Sequence, residues 1–251
     1  MTKLLLHGAL GVMGENVVRA VAADENFVIV AGKDCRNVPE HEGFPVYADF
    51  ADVPTDYDAI IDFSVAPAVD SLLDYAETVK KPLVLCTTGL SEAQLAKVQK
   101  LSETVPVLRS ANMSIGVNLL LQLVQTAAQK LYEKGFDIEI VEQHHRRKKD
   151  APSGTALALA DAVNEALEGK LQYVYDRSQR SAARPHEELG ISAVRGGTIA
   201  GVHDVIFAGE DEVITLNHTA YSRAIFAKGA MTAAAFLKEQ QPGLYSMQDA
   251  L

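Results

Sequence analysis

Three glycines, Gly8, Gly11 and Gly14, stand between an apolar run and a helical one, and this placement constrains the fold more than any other feature of the chain. KLLLHG at 3–8 is a short apolar run ending in glycine, and GVMGENVVRAVAAD at 11–24 sets Val12, Val17, Val18 and Val21 at helical spacing. NFVIVAGKD at 26–34 is rich in β-branched residues and ends in a turn. Strand, turn, helix and strand make a βαβ unit of about thirty residues, so the sheet is expected to be parallel.

The alternation continues. DAIIDFS at 58–64 reads as a strand, PAVDSLLDYAETVK at 67–80 as a helix with Pro67 near its start, and PLVLCTT at 82–88 as a strand. SEAQLAKVQKLSET at 91–104 is a helix with Ser91 as its N-cap, leading to the strand VPVLRS at 105–110. Such repetition predicts a doubly wound, Rossmann-like parallel sheet with helices on both faces. After Asn112 the pattern changes: 114–134 is one long helix, and FDIEIVEQHH, GISAVRG, VHDVIFAG and EVITLNHTA then alternate like strands. A second, α+β domain with a mixed sheet is expected over 114–223. The helix at 222–240 is expected to return the chain, so that 224–251 joins 1–113 in the first domain.

Composition narrows the function classes. The 251 residues are 48% hydrophobic, enough for a real core, and 33 acidic against 23 basic side chains give a formal charge of −10. That balance disfavours nucleic acid and anionic membrane as partners. Cys35 and Cys86 have no metal-ligand spacing, and no disulfide framework or zinc site is expected. His7 and Gly8 interrupt the leucines at 4–6, and no apolar run reaches the roughly eighteen residues a membrane span needs. The expected location is the cytoplasm.

Glycines between a first strand and a first helix allow a tight turn and close approach of a pyrophosphate to backbone N–H groups. The spacing here is G-x-x-G-x-x-G, with Ala9 departing from the commoner pattern. A glycine-rich turn without a ligand is the alternative. Asp34, twenty residues after Gly14 at the end of the second strand, is placed to accept hydrogen bonds from an adenosine ribose, which favours NADH. Lys33 beside it can attract the 2′-phosphate of NADPH. The preference between the two stays open at this point.

The segment EQHHRRKKDAPSGTA at 142–156 ends a strand, crosses a basic loop and starts a helix. Ser153, Gly154 and Thr155 at that start form an anion site, because the N–H groups and the helix dipole point there. Lys148 adds a mobile charge, and a histidine can handle protons near neutral pH. His144 and His145 point to opposite faces if the strand persists. A solvated basic loop before an ordinary capped helix is the alternative reading.

This same segment closely resembles the signature E-x-H-H-x-x-K-x-D-A-P-S-G-T of the 4-hydroxy-tetrahydrodipicolinate reductases. GALGVMG, CTTG at 86–89, SANMSIGVN at 110–118, VRGGTIAGVHDVIFAG at 194–209 and the GLYSMQDAL ending follow in the family's order, so the resemblance spans essentially the whole chain. The resemblance implies hydride transfer from NADH or NADPH to a cyclic, imine-containing dicarboxylate, with proton transfer by His144 and Lys148. It places the substrate carboxylates on His145, Lys148, Gly154 and Thr155, with Arg223 as a further contact. It lines the cofactor with Gly8, Ala9, Leu10, Gly11, Val12, Met13, Cys86, Thr87, Thr88, Ser110, Ala111, Asn112 and Met113, beside Asp34 at the ribose. Cys35 stands where some relatives carry an arginine suited to the 2′-phosphate, and Lys33 can compensate. A homotetramer assembled through the second domain is also implied. Because the two half-sites fall on different expected domains, closure between them is expected, about hinges near Met113–Ser114 and Ser222–Arg223. Two competing readings are another two-domain amino-acid dehydrogenase and a non-catalytic nicotinamide-binding sensor.

Overall fold

The computed structural model describes residues 1–36 and 38–251. In chain order the elements are β1 (Thr2–His7), α1 (Val12–Ala22), β2 (Phe27–Lys33), β3 (Glu40–His41), β4 (Phe44–Tyr47), β5 (Ala59–Asp62), α2 (Ala66–Val79), β6 (Leu83–Leu85), α3 (Glu92–Ser102) and β7 (Pro106–Arg109). They continue with α4 (Ile115–Leu131), β8 (Asp137–His144), α5 (Gly154–Ala166), β9 (Gln172–Val174), β10 (Glu188–Arg195), β11 (Gly201–Ala208) and β12 (Val213–Ala220). Then α6 (Ala224–Leu237) and β13 (Gly243–Tyr245) close the chain. Two units result, one of Met1–Ile115 with Arg223–Leu251 and one of Gly116–Ser222.

The first unit is the expected doubly wound sheet. Its strand order is β13-β7-β6-β5-β1-β2-β4-β3, and every neighbouring pair is parallel except the short β3–β4. The leucines of β1 show how both faces are covered. Leu4 and Leu6 join the core made with α1 and α6, whereas Leu5 joins the one made with α2 and α3. All three are fully buried, and each contributes about 1.5–3 kcal/mol relative to exposure. Ser91 caps α3 in a reciprocal box with Gln94, as its hydroxyl promised.

Since β2 lies on one side of β1 and β5 on the other, the winding reverses at β1, and a crevice opens beyond the carboxyl ends of these strands. The strands that the sequence pattern did not reveal, β3, β4, β9 and β13, are two to four residues long. β5, β6 and β7 are as short but read as strands because they are almost wholly buried apolar runs, whereas these four are partly exposed and carry no such run.

The second unit carries a mixed sheet ordered β12-β11-β8-β10-β9, in which β8 pairs parallel to β10 and antiparallel to β11. Strict alternation on β8 and β11 turns Ile138, Ile140, Val205 and Phe207 into a core with Leu120 and Val124 of α4 and Leu159 and Val163 of α5. Three core-facing positions break the apolar rule: Glu142 and His144 on β8, and His203 on β11.

Candidate functional site

In the first unit the glycine turn sits on the crevice at the end of β1. Gly8 has φ +77°, and a Cβ there would fall 2.6 Å from the Phe63 carbonyl oxygen. A Cβ on Gly14 would fall 2.3 Å from the Ala9 carbonyl oxygen. Both contacts are with backbone, so neither position admits a side chain without moving the turn. Gly11 caps α1 with no side-chain hydrogen bond, and the first N–H groups of any helix lack intrahelical partners. Ala9 is buried under the turn, while Leu10, Gly11 and Met13 are half-buried and Val12 is exposed.

Asp34 follows β2 and is 7% exposed. Its Oδ2 accepts from the Leu10 N–H at 3.0 Å, which ties the acid to the glycine turn. Arg36 also grips it, with Nε 2.9 Å from Oδ1 and Nη2 3.1 Å from Oδ2. Burial raises the Asp34 carboxyl, but the hydrogen bonds from Arg36 and Leu10 outweigh it and hold the group at about 2. Lys33 takes another course, with its Nζ 4.9 Å from the centre of the Phe50 ring. The cation engaged with Asp34 is therefore Arg36, which the sequence reading passed over.

The remaining candidates of this unit lie at the ends of β6 and β7. Thr87 donates to the fully buried Asp62 at 2.6 Å, and His7 Nδ1 lies 2.8 Å from the same carboxylate. Cys86 is buried, which pushes its thiol well up, and Thr88 is exposed. After β7, the Ser110 hydroxyl donates to the Asn112 carbonyl at 2.9 Å and Asn112 Oδ1 accepts from the Ser114 N–H at 2.8 Å, so 110–114 is a braced turn. Ala111 is exposed at its tip, and Met113 is buried against Gly229, where a Cβ would fall 1.7 Å from the Met113 oxygen. A tight glycine turn, an open helix start and an acid at the end of β2 fit a nicotinamide dinucleotide.

In the second unit the site gathers around Glu142, which is completely buried. Its Oε2 accepts from His144 Nδ1 at 2.6 Å and from Arg195 Nη1 at 2.8 Å. Its Oε1 accepts from the Ser153 N–H at 3.0 Å and Arg195 Nη2 at 2.7 Å. Burial raises the carboxyl, but the bonds from Arg195, His144 and Ser153 overcome this and hold it below its ordinary range. Removing one partner of such a buried pair costs about 3–5 kcal/mol.

Arg195 Nη2 reaches on to the Asp150 carbonyl at 2.6 Å, and Lys148 pairs with Asp150 at 2.8 Å. Ser153 caps α5 through the Ala156 N–H, and its hydroxyl lies 3.1 Å from His203 Nε2. Burial, with the neighbouring His144, lowers His203 to about 4. Gly154 and Thr155 form the first turn of α5, and a Cβ on Gly154 would meet nothing within 4 Å. His144, Lys148 and the start of α5 are thus brought into one hydrogen-bonded cluster. β8 ends at His144, so His145 lies in the loop, half-buried with its Nδ1 lacking a partner. Arg223, exposed at the N-cap of α6, belongs to the first unit.

Glu142, Arg195 and His203 were not among the site residues expected from sequence. The signal for two of them was present, since a glutamate and a histidine occupy inward positions of otherwise apolar alternating strands.

Residues 2–113 match the sequence profile of the dihydrodipicolinate reductase N-terminus, and residues 116–251 match that of its C-terminus. The chain belongs to the dihydrodipicolinate reductase family. Within that family, the 4-hydroxy-tetrahydrodipicolinate reductase of Caldanaerobacter subterraneus subsp. tengcongensis is 51% identical, over 99% of this chain and 98% of the relative. The one from Clostridium botulinum is 44% identical over 100% and 98%. A dipicolinate-bound dihydrodipicolinate reductase from a Paenisporosarcina species superposes with a TM-score of 0.84 at 24% identity, covering 100% of this chain and 99% of that one, and shares the fold. An amine dehydrogenase from Mycobacterium smegmatis matches less well, at 0.63 and 11% identity over 100% and 96%.

Proposed function

We propose that the protein is a 4-hydroxy-tetrahydrodipicolinate reductase. It reduces a cyclic, imine-containing dicarboxylate to tetrahydrodipicolinate with NADH or NADPH, in the diaminopimelate branch of lysine biosynthesis. The observation that carries this reading is the buried Glu142–His144 pair set beside Lys148 and the start of α5, in a chain whose other unit holds a dinucleotide turn. When bound, the nicotinamide supplies the hydride.

The chain's own residues supply the rest. The Gly8–Met13 turn, Asp34 and the segments 86–88 and 110–113 hold the cofactor, so 1–113 with 224–251 serves as the dinucleotide-binding domain. Lys148, His145 and the N–H groups of Gly154 and Thr155 hold the substrate carboxylates, with Arg223 as an additional cation. His144 and Lys148 transfer the proton that accompanies reduction. Residues 114–223 thereby form the substrate domain.

The same domain is assigned to assembly of a homotetramer. β12 is an edge strand with Val213 62% and Ile214 38% exposed, an apolar edge that a solitary chain would leave open to pairing. No described helix is long and apolar enough to cross a membrane, and a cytoplasmic site of action accords with a biosynthetic role.

Titration with dipicolinate in the presence of cofactor tests the substrate assignment. Binding that weakens strongly in Lys148→Ala supports it; equal affinity in both proteins contradicts it.

A further inference from the structure

His144 has two ring nitrogens, and only one can do the chemistry. Its Nδ1 is committed to Glu142 at 2.6 Å. An ionised carboxylate only accepts, so the Nδ1 side must carry a proton and Nε2 is the nitrogen left to work. Nε2 lies against Gly201 of β11, where a Cβ would come within 3.1 Å of it, so the absence of a side chain at that position keeps this nitrogen from being crowded. The carboxylate itself cannot turn away, because Arg195 holds both its oxygens and the Ser153 N–H holds one.

We propose that Glu142, locked by Arg195, is the positioning residue of the reaction. It fixes the tautomer of His144 and, through Ser153 and Asp150, sets the anion-binding turn in register with that ring. The proposal rests on the reading of His144 as the proton-transfer residue. In the protonation step the Nε2–H bond of a protonated ring breaks and a C–H bond forms on the substrate. The electron pair stays on Nε2, and Nδ1–H remains on Glu142. The same carboxylate ties down both ends of the loop that carries Lys148, since Arg195 also binds the Asp150 carbonyl.

Replacing the acid by its amide separates this role from simple bulk. A glutamine offers one acceptor oxygen and one NH₂ group where the site presents donors to both oxygens. If the NH₂ group faces His144 it donates to Nδ1 and drives the proton to Nε2. If it faces Ser153 it opposes an N–H and an arginine.

The experiment is long-range ¹H–¹⁵N NMR of ¹⁵N-histidine protein with neutral imidazole rings, the His144 signal being assigned by its loss in His144→Gln. The spectrum needs neither substrate nor turnover. The wild type is expected to show His144 protonated at Nδ1. Glu142→Gln is expected to show a mixture or the Nε2–H form, with kcat lower by roughly a hundredfold and cofactor KM nearly unchanged. Arg195→Lys, which keeps the charge but loses the fork, is expected to lower kcat in the same sense. An Nε2–H form in the wild type overturns the proposal, even if Glu142→Gln fails to fold. So does wild-type kcat in Glu142→Gln. Absence of turnover in the wild type would instead sink the reductase reading, leaving the tautomer to be read independently.

Discussion

Arg36 grips both carboxylate oxygens of Asp34, through Nε at 2.9 Å and Nη2 at 3.1 Å. An adenosine ribose needs those same acceptor positions for its hydroxyls, so NADH must compete with Arg36 for Asp34. A 2′-phosphate instead offers Arg36 a partner of its own and lets the cation offset repulsion from Asp34. Arg36→Ala is therefore expected to weaken NADPH binding by about tenfold, roughly 1.4 kcal/mol, while NADH binding holds or tightens. Fluorescence titration with each cofactor checks this; parallel loss of both would contradict it.

The proton-transfer assignment separates chemistry from cofactor binding. His144→Gln and Lys148→Ala are expected to lower turnover by about 10²-fold or more and leave the cofactor dissociation constant nearly unchanged. The glycine turn lies in the first unit and the two side chains in the second. Loss of cofactor binding in both variants would overturn the roles given to them.

Gly14→Ala tests the turn directly. The added methyl would fall 2.3 Å from the Ala9 oxygen and 2.4 Å from that of Gly8. Since neither atom belongs to a flexible side chain, the variant is expected to lose roughly 1–3 kcal/mol of stability and most of its cofactor affinity. A thermal melt with and without cofactor reads both effects.

Acid should destabilise the protein in a defined window. The hydrogen bonds from Arg180, against the opposing effect of burial, hold Glu188 at about 2, and Asp34 stands at about 2 as well. Carboxyls whose folded pKa is depressed stabilise the fold fully above their unfolded pKa of about 4, and that contribution is lost as pH falls towards the folded value. Stability is thus expected to drop between about pH 4.5 and 2. The drop should be shallower in Asp34→Asn, as followed by urea unfolding across this range; an unchanged slope would contradict it.

Much of this architecture was legible because its strands and helices repeat their periods over enough residues. β1, α1 and β2 announce the dinucleotide turn, and Ser91 and Ser153 mark helix starts that the structure places where the side chains suggest. Arg36 was hidden because the residue two places beyond the acid has no fixed direction until the chain turns. Glu142 was hidden for another reason. Read as part of a polar loop motif it looks solvated, and only the inward register of Ile138 and Ile140 on the same strand shows that it is buried. Arg195 could be recognised only after the parallel pairing of β10 with β8 set it opposite His144.

β12 leaves one edge of the second sheet open to pairing with another chain. Sedimentation of the wild type is expected to give four times the mass of one chain, and Val213→Lys with Ile214→Lys is expected to lower it. A monomeric wild type would contradict the role given to β12.

The central claim is tested most directly by following the absorbance of reduced nicotinamide with freshly generated 4-hydroxy-tetrahydrodipicolinate. Rapid oxidation of NADH or NADPH that requires both substrate and protein is the predicted result. Folded protein that binds either cofactor but oxidises neither would contradict the account and identify a nicotinamide sensor instead.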